Sequence, residues 1–227
     1  MNNKAKIGVI VMISAAVTGL IYYPILIGLP GQDENVIPRE ASKWHLGKGA
    51  EYNPTMLYDI TSGDMKFSAK IGFFSDISQN QMISVQIDDN TTGKKIDQKT
   101  SLSSAYTFNE VSEDANPYFQ VLDKTLFSIR DIALEGKYLV KKAVWDTVFI
   151  GALTQDLTVT DHGKISFAFG SVDAFTVSYK IGDKENKFWI VDNLPLPVRA
   201  EVYDIDGNLQ YSYELTSLLA PLTPGFS

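Results

Sequence analysis

The sequence predicts a mainly β protein: an N-terminal transmembrane helix, then an antiparallel β domain (half-barrel, barrel or sandwich) with one short helix. Three observations lead there. A run of 23 residues near the N-terminus carries no charge. Beyond residue 54 the chain breaks into short segments in which apolar and polar residues alternate with period two. Turn-forming residues separate those segments at hairpin-length spacing.

The uncharged run is residues 7–29, with 17 apolar side chains and six that are Gly, Ser, Thr or Pro. As a helix it is about 34 Å long, against a hydrocarbon core of about 30 Å. Lys4 and Lys6 precede it, and Asp33 and Glu34 follow it. Basic flanks stay in the cytoplasm, so the run reads as a signal anchor with the N-terminus inside and residues 31–227 outside. Tyr22 and Tyr23 stand in the outer half, and Pro24 and Pro30 loosen or end the helix there. A cleaved secretory signal is the competing reading, cut within Ser14-Ala15-Ala16-Val17-Thr18-Gly19. It is disfavoured because it leaves the apolar stretch 20–29 as a new N-terminus. A buried core helix is disfavoured by the length and the charge asymmetry. The expected organisation is a cytoplasmic tail (1–6), a transmembrane helix (7–29), a linker (30–43) and an extracytoplasmic β domain (44–227). That places the chain in the plasma membrane as a single-pass protein.

The linker is polar, holds Pro30 and Pro38 and lacks periodicity. Strands are expected at 55–60, 65–74, 81–88, 94–99, 144–150, 155–160, 164–169, 174–181, 187–191, 197–204 and 208–216. Their turns are Ser62-Gly63-Asp64, the runs 89–93 and 182–186, Asp161-His162-Gly163, and Asp206-Gly207, the strongest hairpin signal of the set. One segment breaks the alternation. Asn116-Pro117 marks a helix start, and Phe119, Leu122, Leu126, Ile129 and Ala133 recur at spacings of three and four. That predicts a helix up to about residue 130, with 126–134 open to being strand instead. The loop 101–115 is the candidate boundary between an N-terminal and a C-terminal sheet.

Composition excludes much chemistry. With no cysteine, the chain has no disulfides, thiolate metal sites or cysteine nucleophile. The pI near 4.8 argues against a nucleic-acid partner. Two of the 20 basic groups and none of the 27 acidic ones lie in the first 30 residues, which leaves −9 on the rest. Only His45 and His162 are available as imidazole bases, and neither has a sequence context that suggests a site. Asp204-Ile205-Asp206-Gly207-Asn208 looks superficially like a calcium loop, but its glycine is misplaced and a tight turn is the better reading. Glycine loops for phosphate are absent from the sequence. No catalytic centre, metal site or cofactor is therefore expected.

Two candidate sites remain. Asn90-Thr91-Thr92 is the single N-glycosylation sequon, on a predicted exposed turn. Aromatic residues crowd the C-terminal strands, most of them as core. Trp145, Phe149, Phe167, Phe169 and Trp189 are the ligand-binding candidates, lining an apolar cavity if the sheet curls around one.

Phe188-Trp189-Ile190-Val191-Asp192, the Leu194-Pro195-Leu196-Pro197 turn, the strand from Val198 to Asp204 and Asp206-Gly207 together resemble the LolA/LppX-type lipoprotein carriers over residues 187–216. The resemblance implies a curved antiparallel half-barrel wrapped over helices, with a hydrophobic cavity for acyl chains. The layout of residues 140–146, the 194–204 run and the N-in anchor is also similar to single-pass cell-surface proteins of archaea. The leading expectation is a non-catalytic, membrane-anchored extracytoplasmic β domain: a binding module, accessory subunit or envelope component with a protein partner. The alternative is a tethered carrier or sensor for lipid-like ligands.

Overall fold

Residues 39–227 form one compact unit. The computed structural model describes residues 41–75, 81–150 and 153–219. Residues 7–29, the expected transmembrane helix, lie outside them. Among the described residues no helix is long and apolar enough to cross a membrane.

Twelve strands are described. A short ribbon pairs β1 (Lys43–Trp44) with β6 (Lys137–Tyr138). The other ten form one sheet, every neighbouring pair antiparallel. Its first half is β2 (Thr55–Ser62), β3 (Met65–Ser75), β4 (Gln81–Asp89) and β5 (Lys94–Ser101). Its second half is β7 (Val144–Ile150), β8 (Leu153–Phe167), β9 (Gly170–Ile181), β10 (Lys184–Ile190), β11 (Arg199–Tyr203) and β12 (Leu209–Leu219). The order is β5-β4-β3-β2-β12-β11-β10-β9-β8-β7. The chain thus meanders from a central strand out to the β5 edge. It then crosses to the β7 edge and meanders back to the centre, where β12 closes against β2. The loop 101–115 therefore divides no sheets, because β2 and β12 join both halves into one.

The crossing segment carries two helices, α1 (Asn116–Lys124) and α2 (Arg130–Ala133). The single helix to residue 130 is corrected: α1 ends at Lys124, where Thr125 departs from helical backbone and turns its hydroxyl back on the Val121 carbonyl. Residues 126–134 are not strand. Asn116 is the first helical residue, with Ala115 before it and Pro117 in the first turn, where a missing N–H costs nothing.

Period-two patterning does the folding. Registered side by side, Phe67, Ile60, Tyr213, Ala200, Phe188, Val177 and Val159 form one buried row across seven strands, β3 to β8. Onto this inner face the crossing segment packs Tyr118 against Phe67 at 5.2 Å, and Phe108 against Phe119 and Phe127 at 4.8 and 5.0 Å. Leu122, Leu126 and Phe127 are fully buried there. Where the carrier resemblance implies a space for acyl chains, these side chains stand.

Two more expectations are corrected. Asp161-His162-Gly163 is not a turn: β8 runs through it to Phe167, with a bulge between Val159 and Asp161 and His162 stacked 4.0 Å from Phe175. The real turn is Ala168-Phe169, and Gly170 (φ 139) takes the positive φ that L side chains avoid. The 182–186 loop shrinks to Gly182-Asp183, with Lys184 already paired to Ile181. The Ser42 hydroxyl donates to Asp192 at 2.7 Å, and the Lys48 ammonium closes on the same carboxylate.

Candidate functional site

The sheet's other face is open, and its side chains fall into two adjacent rows. In the first, Ser68, Asp59, Glu214, Arg199 and Trp189 are registered across β3, β2, β12, β11 and β10. This row satisfies itself. Ser68 donates to Asp59 at 2.6 Å, and the Arg199 guanidinium donates through Nε to Glu214 at 2.8 Å and through Nη2 to the same oxygen. Arg199 also lies between two rings, 5.5 Å from Phe167 and 5.6 Å from Trp189. Both flanking rings restrict the guanidinium to one geometry. Half-exposed as the Arg199–Glu214 pair is, its contribution is about 0–1 kcal/mol, and its effect is positional.

In the second row Lys66, Thr61, Ser212 and Glu201 are registered across β3, β2, β12 and β11. None of these four side chains has a partner among the described residues. These four span about 14 Å at roughly 4.8 Å per strand, and the register continues to Lys187 on β10, which stands opposite Glu201 but pairs with Glu185 at 3.1 Å instead. Both rows except Trp189 line an open trough of about 580 Å³, with Asn90 and Thr91 of the β4–β5 turn also on its wall. A second open trough of about 370 Å³ meets it at Ser68 and runs over Lys70, Gln86 and Asp88 to Lys95 and Asp97.

Of the five aromatic candidates, Phe167, Phe169 and Trp189 gather at Arg199, with Phe169 stacked on Phe167 at 5.2 Å. The long β8–β9 arm brings its end there. At its far end Ile165, Phe167, Val172 and Ala174 lie on the open-face side, while His162, Lys164, Asp173 and Ser171 lie on the other. Trp145 is elsewhere, buried and stacked on Trp44 at 5.8 Å, its Nε1 donating to the Tyr138 carbonyl. Phe149 is 78% exposed on β7. The five do not meet around one cavity. Asn90 is exposed in a turn that Asp89 holds by accepting the Thr91 and Thr92 N–H groups at 2.9 and 3.1 Å. Sequence reading missed Lys66, Thr61, Ser212 and Glu201 entirely. Each is an ordinary polar residue at an outward strand position, and only the β2–β12 pairing brings them into a row.

The residues considered for chemistry have structural partners. His45 is exposed, with Nδ1 2.9 Å from the Leu46 carbonyl. The Asp204 carboxylate accepts the backbone N–H groups of Asn208 and Asp206, which lowers its pKa and closes the β11–β12 turn. Burial raises Tyr58 and Tyr213 well above the ordinary tyrosine range and pushes Tyr211 up to about 12, so these phenols stay neutral within the inner face. Among the described residues no three His, Asp or Glu side chains converge as a metal-holding group.

No protein-family model matches the sequence, and no curated protein does. Among solved structures the chain is similar to a crystal structure of MucB, at TM-score 0.47 and 8% identity over 79% of this chain and 57% of that one. A crystal structure of MucB in complex with MucA(peri) gives 0.43 at 10% identity, over 77% and 52%. The complex structure of Pseudomonas aeruginosa MucA/MucB gives 0.39 at 10% identity, over 78% and 56%. The chain spans little more than half the length of these proteins. This is a likeness of chain path, too loose to carry a partner or a mechanism across.

Proposed function

We propose that the chain is a non-catalytic binding module of the cell envelope. In this reading it is an extracytoplasmic β domain on a single-pass plasma-membrane anchor (7–29) that recognises a protein partner through the open face of its sheet. The observation that carries the reading is the Lys66–Thr61–Ser212–Glu201 stretch, without hydrogen bonds or ion pairs among the described residues, beside a row in which Ser68 pairs with Asp59 and Arg199 with Glu214. Cross-strand charges on a merely solvated face gain by pairing with each other. A row that leaves Glu201 without an ion pair although Lys187 stands opposite it, and leaves Lys66 three strands away, suits a partner that supplies the complements. Its mixed sign suits a polar protein surface better than a lipid or a polyanion.

The anchor and topology rest on the charge pattern around residues 7–29, and the similarity of layout to single-pass cell-surface proteins favours the same placement. The carrier alternative has less support, because Phe108, Phe119, Leu122 and Phe127 fill the inner face. Phe167, Phe169 and Trp189 then serve to position Arg199 rather than to line a lipid cavity. In a cell that glycosylates, Asn90 carries the sugar at the trough wall.

In-cell photo-cross-linking of the full chain tests this. A photoreactive residue at position 212 or 201 is expected to give discrete protein adducts, and one at 173, on the β8–β9 arm, to give none. Equal adducts from all three positions would defeat the reading. So would native mass spectrometry of the detergent-extracted full chain that finds one lipid bound per chain.

A further inference from the structure

Among the described residues β7 ends the sheet and pairs with β8 alone. Exposed edges are normally blunted by lysine, proline or a covering loop. The strand Val-Trp-Asp-Thr-Val-Phe-Ile has no proline, no basic residue and one acid. Its Phe149 is the most exposed large apolar side chain among the described residues. From 143 to 163 there are three acids, Asp146, Asp156 and Asp161, and no lysine or arginine. None of the three is ion-paired among the described residues. Asp146 accepts the Thr147 N–H at 2.7 Å, and Asp156 accepts the Thr147 hydroxyl at 3.1 Å.

The Thr147 bond shows which way the edge faces. Its N–H goes to a carboxylate instead of to β8, and N–H groups alternate sides along a strand, so those of Thr147 and Phe149 point away from the sheet. We infer that β7 takes up an extended segment of a partner protein as an eleventh strand, and that this segment carries a lysine or arginine opposite Asp146. The cation draws the Asp146 carboxylate off the Thr147 N–H, which frees that donor for a carbonyl of the incoming strand. Main-chain bonds then supply affinity, and Phe149 with Asp146 supplies selection. An acidic segment is repelled and leaves the donor blocked. A second copy of this chain is a poor occupant for the same reason, since it brings the same three acids. β7 lies three strands from β10, the last strand of the open-face rows, so this proposal stands or falls independently of that site.

The full chain in detergent is titrated into a fluorescein-labelled nonapeptide of alternating valine and threonine with a central lysine. Binding is expected to raise anisotropy and to slow amide exchange at Thr147 and Phe149. The same peptide with central glutamate is expected to bind at least about tenfold more weakly. Phe149→Lys, with an unchanged far-UV spectrum, is expected to weaken the lysine peptide by about tenfold or more. Asp146→Asn is expected to bring the two peptides within about threefold of each other. Any of four results overturns the proposal: equal binding of both peptides, binding of neither, full binding by Phe149→Lys, or slowed exchange at β7 that rises with chain concentration alone.

Discussion

The two edges of the sheet meet the same hazard with different means. β5 holds Lys94, Lys95, Asp97 and Lys99 in eight residues, and the loop after it folds back over it. Gln98 donates to the Glu110 carbonyl at 2.8 Å and accepts the Ser112 N–H at 3.2 Å. The Asn109 N–H reaches the Ser101 carbonyl, the Glu110 N–H reaches the Thr100 hydroxyl, and Phe108 pins the loop between Phe119 and Phe127. Among the described residues β7 has no such cover. The difference follows from spare chain at the two ends of the crossing. Residues 102–115 lie between β5 and α1, long enough to double back, whereas residues 139–143 lead from β6 directly into β7. One edge is guarded by chain and charge, the other by a single carboxylate.

The largest expected effect tests what attaches β7 to the body. Trp145 is 3% exposed, stacks on Trp44 and bonds the Tyr138 carbonyl. Trp145→Ala should cost about 3–5 kcal/mol, read as a shift of the urea midpoint. A loss under about 1 kcal/mol would mean the Trp–Trp stack is not the attachment. Next, Phe108→Ala unpins the β5 cover. Half-buried between two rings, it should cost about 2 kcal/mol and speed amide exchange at residues 100–102 while leaving β7 unchanged. Equal acceleration at both edges would erase the contrast between them.

The β5 side also carries an acid-sensitive element. Asp89 accepts the Tyr118 hydroxyl at 2.7 Å and the Thr92 and Thr91 N–H groups, which together hold its pKa at about 2. A carboxyl depressed on folding stabilises the protein above its unfolded value, near 4, and that stabilisation is lost as pH falls toward 2. The full chain's Tm should therefore fall between about pH 4 and pH 2. Asp89→Asn should lower the Tm at pH 6 and flatten that part of the profile. A variant profile parallel to the wild type would remove Asp89 as the cause.

Much of this was legible in the sequence because it is local. The alternation at Ile83, Val85 and Ile87, the run 89–93 and Asp206-Gly207 fixed hairpins whose partners are adjacent in the chain. Where neighbours are distant, pattern reading failed. Nothing in residues 55–62 announces a partner as distant in the chain as residues 211–219, so the β2–β12 closure and the polar row across it stayed hidden. The β8–β9 arm failed for another reason. Residues 161–164 are exposed around His162 and Gly163, so the stretch has the polarity of a turn while keeping the hydrogen bonds of a ladder. Trp145 and Phe149 show the same limit on one strand. Both are large aromatics four residues apart, and the bulge between Val144 and Asp146 helps send one into the core and the other into water.

That pair supplies the smallest expected effect. Phe149→Ser should change the folding free energy by no more than about 0.5 kcal/mol, since a side chain 78% exposed gives up little buried area. Set beside Trp145→Ala, it separates the two roles of β7. The strand's beginning holds it to the domain, and its end contributes almost nothing to stability. A urea midpoint that moves by more than about 1 kcal/mol would show that Phe149 is packed in solution and that the β7 edge is covered. An unmoved midpoint leaves an apolar side chain standing in water at a bare edge, which folding alone does not require.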